Sequence, residues 1–186
     1  MNVFLWTTFS LFLLTGIPYL LYIGLFIVIR PTGSPAVKKP ANPSVSIVLP
    51  TYNEEAIIEQ KLQGLFELDY PMEKVEIVVV DSSDDSTREI IREFFTERDH
   101  PSFILLEEDE RRGLAPALND AYDAASNEMV VKTDCDSVVA NDALRQAAAN
   151  LADSDIAAVT GTNAEVLGGS DVESGYRGIQ SYIQRL

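Results

Sequence analysis

Two aspartates one residue apart, Asp134 and Asp136, lie in the segment VVKTDCDSVVA (Val130–Ala140), between two apolar runs. Side chains at i and i+2 of an extended segment point to the same side. Two hard carboxylate oxygens at that spacing suit Mg²⁺ or Mn²⁺, cations that keep open positions for the phosphate oxygens of a substrate. A metal held in this way neutralises a diphosphate leaving group. The spacing is not decisive by itself: the chain has 14 Asp in 186 residues, composition alone gives about one such pair, and a second pair is present at Asp153-Ser154-Asp155.

Several other chemistries are excluded by residue type. Cys135 is the single cysteine, so there is neither an internal disulfide nor a cysteine cluster for zinc. Its place between two aspartates disfavours the thiolate and argues against a nucleophile. His100 is the single histidine and sits in a polar turn before Pro101, which leaves no Ser-His-Asp triad and no histidine metal site. No G-x-x-x-x-G-K-S/T loop occurs and no G-x-G-x-x-G follows the first strand, so phosphate must be held by other means. The formal net charge of −15 repels nucleic acid and anionic lipid. With 29 acidic against 14 basic residues, the surface looks adapted to high salt.

The elements that must position the two aspartates follow from the pattern of apolar runs. SVSIVLP, VEIVVVD, SFILLEE, EMVVKTD and DIAAVTG read as strands. The intervening segments read as helices near Glu54–Glu67, Ser86–Thr96, Leu114–Ala125 and Asp142–Leu151. Strands that are apolar throughout, separated by helices of about ten residues, indicate an α/β fold, a mostly parallel sheet with helices on both faces. Ligands of such sheets bind beyond the carboxyl ends of the strands. The first strand runs into PTYNEE, the second into DSSDDST and the fourth into DCDS, so three polar clusters share one edge. Asp153-Ser154-Asp155 precedes its strand and is expected at the opposite edge. In the second cluster Asp85, Ser86 and Thr87 read as a helix cap rather than as ligands.

An appendage precedes this domain. Val3 to Ile29 contains no charged residue and exceeds the roughly 20 residues that cross a bilayer, so residues 1–30 are expected to form one transmembrane helix. The absence of Lys or Arg before the run, and its length, argue against a cleaved signal peptide. Residues 31–43 (PTGSPAVKKPANP) form a Pro-rich tether, and residues 44–186 the soluble domain. Arg30, Lys38 and Lys39 all follow the apolar run, which predicts a single-pass membrane protein with its domain in the cytoplasm.

SIVLPTYNEE, VVVDSSDDST, RRGLAPALNDAYDAAS and VVKTDCDS, in this order, resemble family 2 glycosyltransferases, over roughly Ser44 to Gly161. The resemblance implies an inverting enzyme of GT-A fold, Rossmann-like, that takes a nucleotide-diphospho-sugar donor and a glycan, polysaccharide or lipid-linked acceptor at the membrane. By position it implies that Pro50, Thr51, Tyr52 and Glu54 line the nucleoside pocket and that Asp81 hydrogen-bonds the base or ribose. It implies further that Asp134 contacts the ribose or sugar, that Asp136, with Asp134 beside it, ligates Mg²⁺ or Mn²⁺, and that Arg112 and Asn119 fill the family's basic and amide positions. Leu114 stands where many members carry Lys. The Tyr176–Leu186 segment resembles the helix that leads into the family's acceptor half, which carries the general base, so no base is assigned and the chain is expected to bind the donor without transferring sugar by itself. The alternatives are a nucleotide-sugar-binding fragment that needs a second chain and a nucleotidyltransferase. Uridine and guanosine diphosphate donors both remain open.

Overall fold

A computed structural model of the chain describes residues 2–28, 37–96, 101–161 and 167. It divides into two units, Met1–Pro35 and Ala36–Leu186. The first holds helix α1 (Asn2–Val28), about 40 Å long at 1.5 Å per residue, and its Val3–Leu25 portion is long and apolar enough to span a bilayer. Thr7, Thr8 and Thr15 return their hydroxyls to carbonyls three or four residues earlier, so these polar groups are satisfied within the helix itself. His100 and the Tyr176–Leu186 segment lie outside the described residues.

The second unit is built on strands β1 (Val45–Thr51), β2 (Val75–Asp81), β3 (Ser102–Glu107) and β4 (Met129–Lys132). All described pairings are parallel and the order is β3-β2-β1-β4. Helices α2 (Ile58–Phe66), α3 (Thr87–Thr96), α4 (Leu114–Ala124) and α5 (Ala143–Leu151) alternate with them. The period of two in the central strands divides the core. Val45, Ile47, Leu49, Val75, Ile77 and Val79 pack with Ile58, Leu62, Leu65, Ile91, Phe94 and Leu144 on one face. Val48, Val78 and Val80 meet Ala117 and Ala121 of α4 on the other. A right-handed crossover puts its helix on one face while the chain moves outward from β1 to β3, and on the opposite face once it doubles back to β4. That reversal makes the gap between β1 and β4 the topological switch point.

Local chemistry opens this gap. Thr133 N–H donates to Val48 O (3.1 Å), so the even-numbered residues of β1 direct their backbone groups toward β4. Pro50 is next in that series, and it lies past the last β1–β4 rung at Val48↔Lys132. Its missing donor therefore leaves no ladder bond unmade, and the two strands diverge there.

The observed helices begin and end within a few residues of the expected ones, the largest offset being α2, whose first residues, Glu54 to Ile57, form turns instead. The fifth expected strand is a correction. Residues 156–161 of DIAAVTG form no strand, and Val159 is 41% exposed. Asp153 accepts from Asp155 N–H (3.2 Å), and its carbonyl from Ile156 N–H (3.0 Å), closing a turn. Apolar composition gives the run strand propensity, but a strand needs a laddered partner, and no described strand pairs with it. The described part of the Pro-rich segment, residues 37–43, has no regular structure. Val37 N–H donates to Asp153 (2.8 Å), Tyr70 OH to Pro43 O (2.6 Å) and Lys74 Nζ to Asn42 O (2.7 Å), so residues 37–43 are fastened to the domain.

Candidate active site

The loops after β1 and β2 are joined by their own polar side chains. Asn53, in the left-handed region at φ 56° where asparagine is tolerated, donates Nδ2–H to Asp84 (2.7 Å) and accepts from Asp84 N–H (3.1 Å). Its own N–H reaches Ser83 Oγ (2.8 Å), and Glu54 N–H reaches Thr87 Oγ1 (2.8 Å). Asp85 receives Thr87 N–H (2.9 Å) and Thr87 Oγ1–H (2.5 Å), the capping role expected at the start of α3. Much of TYNEE and DSSDDST is thus structural, and it fixes the floor on which the remaining groups stand.

Those groups surround a cleft of about 340 Å³ at the carboxyl edge of β1 and β4. Pro50, Thr51, Tyr52 and Glu54 line it from β1, Asp134, Cys135 and Asp136 from the turn after β4, and Arg111, Gly113, Leu114 and Ala117 from the start of α4. Six of the residues implied by the resemblance therefore share one cavity. Three do not line it. Arg112 turns away to pair with Glu108 and Asp120, and Asn119 is exposed on α4.

Asp81 is the third. It is fully buried. Its oxygens accept from Thr51 Oγ1 (2.7 Å), Ser83 Oγ (2.6 Å), Ser83 N–H (3.2 Å) and Arg88 Nε (2.9 Å). A carboxylate offers about four acceptor sites, and here protein donors occupy them. A nucleoside could reach Asp81 only by displacing one of them.

Arg111 was not anticipated. Its guanidinium lies 3.8 Å from the centroid of the Tyr52 ring, a cation–π contact that holds a positive charge at the rim. Adjacent to it, α4 begins at Gly113 (φ 97°) with no side-chain cap, so its first N–H groups remain available. The signal in the sequence was the arginine pair before the helix, of which Arg111 lines the cleft and Arg112 does not.

The acidic side of the cleft concentrates negative charge. Burial, then Asp136, then Asp85 raise the Glu54 carboxyl above its ordinary range. Asp134 is ion-paired with Lys132. Burial, reinforced by Glu54, Asp136 and Asp134 and opposed by Lys61, pushes the Cys135 thiol up to about 12, which agrees with an inert cysteine. Among the described residues no three His, Cys, Asp or Glu groups form a closed metal cage. Two carboxylates on an open turn fit Mg²⁺ or Mn²⁺, which bind through one or two carboxylates and complete their shell with water and substrate phosphate.

A buried lysine lies beneath the turn. Lys61 is 3% exposed and donates to Thr133 Oγ1 (2.8 Å) and Ser137 O (2.5 Å). Burial lowers its pKa to about 8, against the opposing influence of Cys135, Asp134 and Asp136. The unfolded chain then holds this proton more tightly than the folded one between about pH 8 and 10.5, and stability rises with pH across that window. Relative to Lys61→Met, the wild-type protein should gain about 3 kcal/mol between pH 7.5 and 10.5. Urea unfolding of both proteins at several pH values measures the difference, and parallel curves would contradict it.

Known proteins share the sequence and the fold of this domain. The family description Glycosyl transferase family 2 matches residues 46–183, and the chain belongs to that family. It is 38% identical over 99 residues to a poly-beta-1,6-N-acetyl-D-glucosamine synthase of Staphylococcus epidermidis, covering 53% of this chain and 23% of that protein. It is 30% identical over 129 residues to the glycosyltransferase AglE of Haloferax volcanii, covering 69% and 39%. Among solved structures, the mannosyltransferase PcManGT from Pyrobaculum calidifontis in complex with GDP-Man and Mn²⁺ shares 40% identity with a TM-score of 0.63, over 75% of this chain and 41% of that one. S. aureus TarS 1-349 in complex with UDP-GlcNAc shares 28% identity with a TM-score of 0.51, over 55% and 29%. The chain thus spans less than half the length of each of these relatives.

Proposed function

We propose that this chain forms the donor-binding part of a membrane-anchored, inverting glycosyltransferase that moves a sugar from a nucleotide-diphospho-sugar to a glycan, polysaccharide or lipid-linked acceptor. The observation that carries the reading is the meeting, on one cleft at the β1/β4 switch point, of the TYNEE loop, the D-x-D turn and the start of α4. Asp136, with Asp134 beside it, would hold Mg²⁺ or Mn²⁺, and the bound cation would neutralise the diphosphate as it leaves. Tyr52 and Thr51 would flank the nucleoside. Arg111 would meet a phosphate oxygen and supply the charge that Leu114 cannot, while Arg112 pairs with Glu108 and Asp120. The complexes of relatives with GDP-Man and Mn²⁺ and with UDP-GlcNAc support this class of ligand and leave the base open.

Calorimetric titration of GDP and UDP into the detergent-solubilised chain, with Mn²⁺ or with EDTA, tests the reading. Binding of one diphosphate that requires Mn²⁺, and that weakens about tenfold in Arg111→Met, is expected. Failure of both nucleotides to bind would overturn it.

The cleft would work on the cytoplasmic side, because Arg30, Lys38 and Lys39 follow the apolar helix. A phosphatase reporter that requires export, fused after Leu186, should be silent in cells. An active fusion would reverse the orientation.

A further inference from the structure

We infer that Lys61 is a positioning residue for the cation-binding turn, its ammonium tying Thr133 to Ser137 and so holding Asp134 and Asp136 at a fixed separation. The inference rests on the reading that these aspartates bind a divalent cation.

Lys61 occupies a position that helix periodicity reserves for apolar groups. The buried residues of α2 are Ile58, Lys61, Leu62 and Leu65, the i, i+3, i+4, i+7 stripe that faces a core. Lysine is almost never fully buried unless it is paired, yet its hydrogen bonds go to a neutral hydroxyl and a neutral carbonyl. Such an arrangement costs stability, and a leucine would fill the stripe without that cost. What the lysine accomplishes is geometric. Thr133 and Ser137 are the residues that bracket Asp134-Cys135-Asp136, and one ammonium touches both. The turn is closed above it by Ser137 N–H on Asp134 O (3.3 Å), and anchored to β1 by Thr133 N–H on Val48 O (3.1 Å). Cys135 is buried at its base, and the two carboxylates reach the cleft.

The charge and the geometry of Lys61 predict effects of opposite sign. A positive charge below the turn repels a divalent cation, so its removal would tighten metal binding if charge were all that mattered. Loss of the brace lets the carboxylates separate and weakens metal binding. Groups that orient metal ligands typically account for 10- to 100-fold in affinity.

The full chain in detergent is titrated with Mn²⁺, free and bound metal being distinguished by electron paramagnetic resonance, in the presence of whichever of GDP or UDP binds. Lys61→Met should weaken Mn²⁺ binding about tenfold while its thermal unfolding temperature stays level or rises. Thr133→Val, which removes one acceptor and leaves the lysine, should weaken binding in the same direction by a smaller factor, and it decides the matter should Lys61→Met fail to fold. Unchanged or tighter binding in the folded variants would overturn the brace alone. A wild-type protein that takes up no Mn²⁺ would overturn the cation reading and the brace with it.

Discussion

Asp136→Ala is expected to weaken Mn²⁺-supported binding of the nucleoside diphosphate by at least about 100-fold, or roughly 2.7 kcal/mol, and to leave any binding in EDTA unchanged. Asp134 shares its charge with Lys132, whereas Asp136 adds to the potential that raises the Glu54 carboxyl. A diphosphate cannot settle beside these carboxylates without an intervening cation, and Lys132 already offsets part of the charge of Asp134. Asp134→Ala should therefore have the smaller effect, about tenfold. Equal losses with and without metal would remove Asp136 from the cation shell. Calorimetry on the three proteins decides among these outcomes.

Asp81→Asn is expected to cost about 3 kcal/mol of stability, the lower end of the range for breaking a buried ion pair, because Arg88 is one-fifth exposed and can regain some water. The amide keeps one acceptor for Thr51 and Ser83, but its NH₂ group opposes the Arg88 guanidinium and Ser83 N–H. For a domain of this size the unfolding temperature should fall by about 6–12 °C. Denaturant unfolding checks the loss, and Arg88→Met in a double-mutant cycle should prove strongly non-additive with it. Nucleotide affinity of the folded fraction should change little. An unperturbed stability together with lost nucleotide binding, with and without Mn²⁺ alike, would restore the direct nucleoside contact implied by the family resemblance.

The parallel sheet, its helices on two faces and the edge at which the polar clusters gather were all determined by the sequence. Seven-residue strands such as VEIVVVD can be buried along their whole length only between helices, and polar clusters at three strand ends must then meet where those ends converge. Asp134 and Asp136 line the cleft at the end of β4, whereas Asp153 of the second D-x-D accepts from the backbone N–H of Val37. What the tertiary structure alone decided is which polar groups face the cleft and which one another. Composition does not show that Asp81 accepts from four protein donors and ties the ends of β1 and β2 to α3. Arg111 and Arg112 are adjacent in sequence, but Tyr52 draws one to the rim while Glu108 and Asp120 hold the other. The DIAAVTG run has strand propensity, but pairing is a property of two segments and no described strand receives it. Lys61 lay in plain view as the one charge on the apolar stripe of α2, and its partners 72 and 76 residues away became visible only when the chain closed around it.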